Sequence, residues 1–214
     1  RDAQESRGLG DVYKRQDNMN LLTAENLSKS YNTDKILFDN VSLGINEGDK
    51  IGLIGINGTG KSTLLKILAG EEEADNGKLT KGNAVRIAYL PQNPEFDEGE
   101  SVISEVIKGK KAKNEFWDTE GEARSLLAKF EIEDVEAKVG TLSGGQKKRA
   151  ALVRTLLDDA EILILDEPTN HLDTAMSEWL EDYLKKMKQA LLIITHDRYF
   201  LDQVTNKIVE LTHG

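Results

Sequence analysis

The sequence predicts an α/β protein with a central, mostly parallel sheet, and three stretches carry that prediction. In the first, an apolar run, Lys50-Ile51-Gly52-Leu53-Ile54, enters the glycine-rich octet Gly55-Ile56-Asn57-Gly58-Thr59-Gly60-Lys61-Ser62, and residues 63–69 continue as a helix closed by Gly70. The second, residues 162–165, is wholly apolar and ends in Asp166-Glu167-Pro168. In the third, residues 190–195 repeat that apolar pattern and end in His196-Asp197. Strands apolar on both faces belong in the middle of a parallel sheet, and ligands of such sheets bind at the strands' carboxyl ends.

The octet has the composition and spacing of a phosphate-binding loop. Its glycines let successive backbone N–H groups turn inward around a polyphosphate, which also meets the positive end of the following helix. Lys61 adds a point charge toward the β- and γ-phosphates, and the Ser62 hydroxyl is placed to ligate Mg²⁺.

Ahead of the octet, residues 21–27 and 36–43 alternate well enough for two strands around a loop at 28–35, which carries Tyr31. An aromatic ring in front of a phosphate loop can stack on adenine; the plain alternative is packing. After the first helix, residues 85–90 read as a strand that stops at Pro91-Gln92. A glutamine at a strand exit can reach a γ-phosphate, its metal or an attacking water, although glutamines in such turns are usually just solvated.

Residues 93–141 differ in character. Val102, Ile103, Val106 and Ile107, then Trp117, Leu126, Leu127 and Phe130, suggest two short helices projecting from the sheet. Lys108, Lys110, Lys111 and Lys113 lie between them; a solvated loop accounts for these better than a basic contact patch. Leu142-Ser143-Gly144-Gly145-Gln146 opens a helix through 157. Ser143 is its cap, and two glycines expose first-turn N–H groups as a second anion site. Two such helix starts ask for two phosphate contacts, or for one phosphate held between two chains.

At the end of 162–165, Asp166 is placed to hold Mg²⁺ through water, and Glu167 to polarise a water for in-line attack. Met176, Trp179, Leu180, Tyr183, Leu184 and Met187 recur at helical spacing as core packing. His196 stands at the same sheet edge as Asp166 and Glu167. His171 and His213 have no comparable case.

Composition narrows the function classes. Of 214 residues, 31% are charged and 38% hydrophobic, and no apolar run approaches the ~18 residues of a membrane helix. With no cysteine, disulfides and thiolate metal sites are excluded, which fits a reducing compartment. The net charge of -10 disfavours DNA, RNA or an anionic membrane as a bulk partner, so any RNA contact needs a local basic patch or a segment outside this chain. Residues 1–18 have no apolar period and no signal-peptide pattern; they read as a non-native or disordered leader, with Met19 as the start.

Together these stretches resemble the nucleotide-binding cassette of the ABC ATPases, over residues 19–214. GINGTGKS is similar to Walker A, Gln92 to the Q-loop glutamine, LSGGQ to the family signature and ILILDE to Walker B. TNHLD is similar to the D-loop, with Asp173 its acid, His196 to the switch histidine and Tyr31 to the adenine-stacking aromatic. DEPTNHLD and THDRYFLDQVTN resemble the ABC-F subfamily, whose soluble members carry two cassettes on one chain and mostly act on ribosomes; this chain resembles the first of the two.

The resemblance implies a P-loop NTPase fold: a central mostly parallel sheet, an antiparallel β subdomain, and a helical subdomain at about 93–158 bearing the signature. It implies ATP and Mg²⁺ as cofactors, with ATP bound by Tyr31, Gly55, Asn57, Gly58, Thr59, Gly60, Lys61, Ser62 and Thr63. Mg²⁺ is held by Ser62, Gln92 and Asp166, and catalysis rests on Glu167, His196 and Gln92. It further implies a head-to-tail pair in which Ser143, Gly144, Gly145 and Gln146 of one cassette contact the ATP of the other. The expected partners are thus a second cassette and the ribosome, in the cytoplasm, without membrane insertion. Two departures accompany this: the stretch between Gln92 and Leu142 is short for an ABC-F first cassette, which often carries an inserted arm, and the chain stops where a linker and second cassette would follow, as in a fragment. A transporter motor subunit and a slow ATP-gated assembly module are the rival functions.

Overall fold

The computed structural model describes residues 18–32, 35–111 and 117–212. In chain order the elements are β1 (Asn20–Asn32), β2 (Lys35–Asn46), β3 (Lys50–Ile54), α1 (Lys61–Ala69), β4 (Asn76–Lys81), β5 (Ile87–Leu90), α2 (Val102–Ile107) and α3 (Thr119–Lys129). They continue with α4 (Gly144–Leu156), β6 (Ile162–Asp166), α5 (Thr174–Lys186), β7 (Ala190–Ile194), α6 (Arg198–Val204) and β8 (Lys207–Glu210).

Five strands form a parallel sheet in the order β5-β6-β7-β3-β8, and three form an antiparallel sheet in the order β2-β1-β4. The alternation of each central strand divides the interior in two. Leu163, Leu165, Leu191 and Ile193 point to one face, where α2 to α6 cover them. Ile162, Ile164, Leu192 and Ile194 point to the other, against Leu64, Leu65 and Leu68 of α1 and the inner residues of the antiparallel sheet, among them Leu22, Leu27, Phe38 and Ile45. Side chains of period two explain this division, and it sets the site: Asp166, in phase with Ile162 and Ile164, falls on the α1 face.

The parallel core, the antiparallel layer and the helical layer over α2 to α4 agree with the sequence expectation, and the α5 stripe is core: Met176, Leu180 and Leu184 are buried, with Trp179, Tyr183 and Met187 packed against them. The expectation for 28–35 is corrected. β1 runs on to Asn32 and pairs with the start of β2 through Ser30↔Ile36 and Asn32↔Lys35, so Tyr31 sits at a strand end. Lys108 pairs with Glu105 at 2.9 Å and Lys110 with Asp158 at 2.7 Å, which cancels much of that lysine run; Lys113 lies outside the described residues, as do His213 and the leader up to residue 17. Among the described residues no helix is long and apolar enough to cross a membrane.

Candidate functional site

The carboxyl ends of β3, β6 and β7 open into a cleft of about 290 Å³ lined by Tyr31, Asn57, Gly58, Gly60, Lys61, Ser62, Thr63, Gln92, Asp166, Glu167 and His196, together with Lys35, Leu37 and Ile194. Its floor is the glycine loop. Gly60 has φ +84°, and a Cβ there would lie 3.0 Å from both Leu37 Cβ and Phe38 Cδ1, so the turn into α1 requires glycine for conformation and for space. The Thr59 hydroxyl and amide both donate to the Ile56 carbonyl, at 2.8 and 3.3 Å. Lys61 Nζ donates back to the Gly55 and Ile56 carbonyls at 2.6 and 3.1 Å, holding its charge over the loop mouth. No side chain caps α1, which leaves its first-turn N–H groups turned to the cleft. At the rim, the Tyr31 hydroxyl lies 3.1 Å from Thr63 Oγ1, while the residue as a whole is 59% exposed.

Two acids end β6. Asp166 is buried, and neither of its carboxylate oxygens has a hydrogen-bond partner. Burial raises its pKa; the nearby Ser62 hydroxyl, off hydrogen-bond geometry, and the charges of Lys66 and Lys61 oppose that rise. Two orphaned carboxylate oxygens beside a hydroxyl and a phosphate loop fit a hard cation that retains waters. Among the described residues no group of three or more His, Cys, Asp or Glu side chains is arranged to hold a metal ion, so further ligands would be water and phosphate, as suits Mg²⁺.

Glu167 leaves the strand with φ +53°, a left-handed value costly for a side chain with a Cβ. That turn takes its carboxylate away from the face its parity would assign it. Oε1 lies 3.0 Å from His196 Nε2, and Oε2 accepts the His196 amide at 3.3 Å. Burial raises the Glu167 pKa, against the lowering effect of His196. Gln92 is exposed at the end of β5 and faces both acids across the cleft.

The predicted signature residues are elsewhere. Ser143 caps α4, its hydroxyl accepting the Gln146 amide at 3.1 Å while Gln146 Oε1 accepts the Ser143 amide at 2.9 Å. Ser143 and Gly144 are exposed, and none of the four residues 143–146 lines the cleft. Asp173 likewise caps α5, accepting the Met176 amide at 2.8 Å. His171, for which the sequence offered no role, lies against Gly145, where a Cβ would come 3.4 Å from its Nδ1. Lys35 and Leu37 were also not anticipated in the cleft; only the pairing of β1 with β2 brings them there.

The sequence model of the family described as "ABC transporter" matches residues 38–170, more than half of the chain. The chain is 42% identical to the uncharacterized ABC transporter ATP-binding protein YfmR of Bacillus subtilis, over 92% of this chain and 37% of that protein. It is 37% identical to the energy-dependent translational throttle protein EttA of Escherichia coli K12, over 83% of this chain and 39% of that protein. The chain thus spans less than half the length of these curated relatives. Both alignments run over more positions than the chain contributes, so each relative has residues with no counterpart here. The dimeric, post-hydrolysis structure of the ATP-binding cassette MJ0796 bound to ADP and phosphate shares the fold, with a TM-score of 0.76 and 24% identity over 90% of this chain and 94% of that one. On the family match, and with the fold and cleft described above, the chain belongs to the ABC transporter family and is an ATPase cassette.

Proposed function

We propose that residues 19–214 form one cassette of a longer, cytoplasmic ABC-F-type translation factor, and that this cassette hydrolyses ATP when paired head to tail with a second one. The observation that carries the pairing is the separation of the two anion-binding helix starts. Lys61 and the start of α1 face the cleft, whereas Ser143 and Gly144 stand exposed outside it. A phosphate held at α1 can meet an α4 start only if that start comes from another cassette. The ribosomal part rests on similarity to a protein named as a translational throttle and on the NHLD and HDRYFLD wording of the sequence.

In this reading the glycine loop and Lys61 bind the phosphates and Tyr31 stacks on the base. Ser62, Asp166 and Gln92 would hold Mg²⁺, which when bound neutralises phosphate charge. Glu167 takes a proton from the attacking water, a task helped by a carboxyl raised above its ordinary range. His196 swings from Glu167 to the γ-phosphate, and Gln92 senses that phosphate from the far wall.

The Glu167→Gln variant tests this. It keeps ATP affinity, slows steady-state phosphate release by about 100-fold or more, and accumulates as an ATP-dependent dimer in sedimentation. Undiminished turnover would remove Glu167 as the base. The same variant carries a stability signature. Because the folded chain prefers Glu167 neutral, its charge costs stability at pH 7; that cost fades as pH falls through the raised pKa and is gone below the ordinary glutamate value of about 4.3. Glu167→Gln therefore raises Tm at neutral pH and loses that advantage in acid. Co-sedimentation of the full-length variant with ribosomes supports the translation reading, and co-fractionation with membranes instead would favour a transporter motor.

A further inference from the structure

The segment that leaves Gln92 is fastened to α4 as well as to α2. The Phe96 ring lies against the Arg154 guanidinium, 4.1 Å from its Cζ to the ring centroid, and Arg154 Nη1 donates to the Glu95 carbonyl at 3.1 Å. Arg154 is half-buried, and the charge facing it is Glu105 of α2, whose Oε2 accepts the Asp97 amide at 3.1 Å. Arg154 therefore joins α4 to the backbone just past Gln92, and Glu105 ties that same segment to α2.

A second tie lies nearer the signature. Lys147 pairs with Glu98 at 2.7 Å, and the Gly140 amide donates to the Glu98 carbonyl at 3.1 Å. The Glu98 side chain is 69% exposed, and exposed ion pairs hold little. The Arg154 contact is stacked and half-dry, and it combines a cation–π interaction with a charge-assisted hydrogen bond. It is the stronger of the two.

We propose that Arg154 is a positioning residue for ATP hydrolysis: it clamps residues 93–98 onto α4, so that Gln92 in one cassette's cleft and the Ser143 start of its α4 keep a fixed relation. The positioning role rests on the reading of Gln92 and Ser143 given above; the clamp itself rests on geometry alone. Lysine would not replace arginine, since it lacks the planar fork that stacks and bonds at once.

The chain has no cysteine, so nitroxides at Asn93→Cys and Thr141→Cys, both exposed positions, report the spacing of the two segments. The unsubstituted background is expected to give a narrow distance distribution. Arg154→Met broadens it, lowers kcat for phosphate release about tenfold through misplacement of Gln92 and leaves the KM for ATP within about twofold; Arg154→Lys rescues neither. An unchanged distribution in a folded Arg154→Met chain overturns the clamp, and a broadened one with kcat unchanged overturns the positioning role. Should Arg154→Met fail to fold, Phe96→Leu removes the stacking partner while sparing α4 and is read in the same way. If the parent chain binds no ATP, the functional reading falls with the positioning role, whereas the distance measurement still decides the clamp.

Discussion

The starts of α1 and α4 are both glycine-rich and both able to receive an anion, yet they are finished differently. α1 begins at Gly60 with no side-chain cap, and its N–H groups, together with Lys61, converge inside a cleft. α4 begins at a closed capping box in which Ser143 and Gln146 satisfy each other, leaving the Gly144 and Gly145 amides to face outward. An uncapped helix start is incomplete until a ligand supplies the acceptor. A boxed one is already stable and offers only a remainder. α1 can thus hold a phosphate unaided, while α4 can only add to one held elsewhere.

The difference can be broken most sharply at Lys61. Lys61→Ala should weaken ATP binding by about 10- to 150-fold, since a charge-assisted contact is worth ~1.5–3 kcal/mol; an affinity unchanged from the parent chain in an equilibrium titration would count against the phosphate-loop reading. A smaller effect separates the glycines. Gly60→Ala meets both a left-handed φ and the Leu37 and Phe38 side chains, and should cost about 1–3 kcal/mol in denaturant unfolding. Gly144→Ala meets nothing within 4 Å and should leave Tm unchanged or slightly higher, yet weaken ATP-driven dimerisation in sedimentation because its methyl stands where the partner must approach. Smallest is Ser143→Ala, which opens the capping box and should cost about 1 kcal/mol, read as a small fall in Tm with ATP affinity intact. If Ser143→Ala instead weakened ATP binding by a single cassette, the two starts would not be the separate sites described.

Much of this was legible in the sequence because the informative residues lie where periodicity is strongest. The apolar runs at 162–165 and 190–195 could only be central strands, and the acids and histidine at their ends had to emerge at the ligand edge. Less was legible at the margins. β4 reads Asn-Gly-Lys-Leu-Thr-Lys and is exposed throughout; an edge strand buries nothing, so it leaves no apolar alternation. The extension of β1 to Asn32 was hidden for the same reason, its last residues being polar and held by pairing with β2. α6 is short, and half of it faces solvent. At the site, the left-handed turn at Glu167 was invisible, since nothing about a glutamate announces a positive φ. The proximity of His171 to Gly145 depends on the loop between β6 and α5 folding back on α4, a tertiary event without a local signature.

The turn at Glu167 also bears on how such a cassette would drift under relaxed selection. The position carries a backbone conformation that glycine or asparagine adopts more easily, and a buried charge that glutamine would spare. Folding favours replacing this residue, and in the mechanism proposed above only turnover opposes it. In a descendant that still needs to grip ATP but no longer needs to spend it, position 167 is expected to be among the first in the cleft to change, before Lys61 or the loop glycines. A cassette's inheritance of catalysis, as distinct from binding, would then be written at that single strained residue.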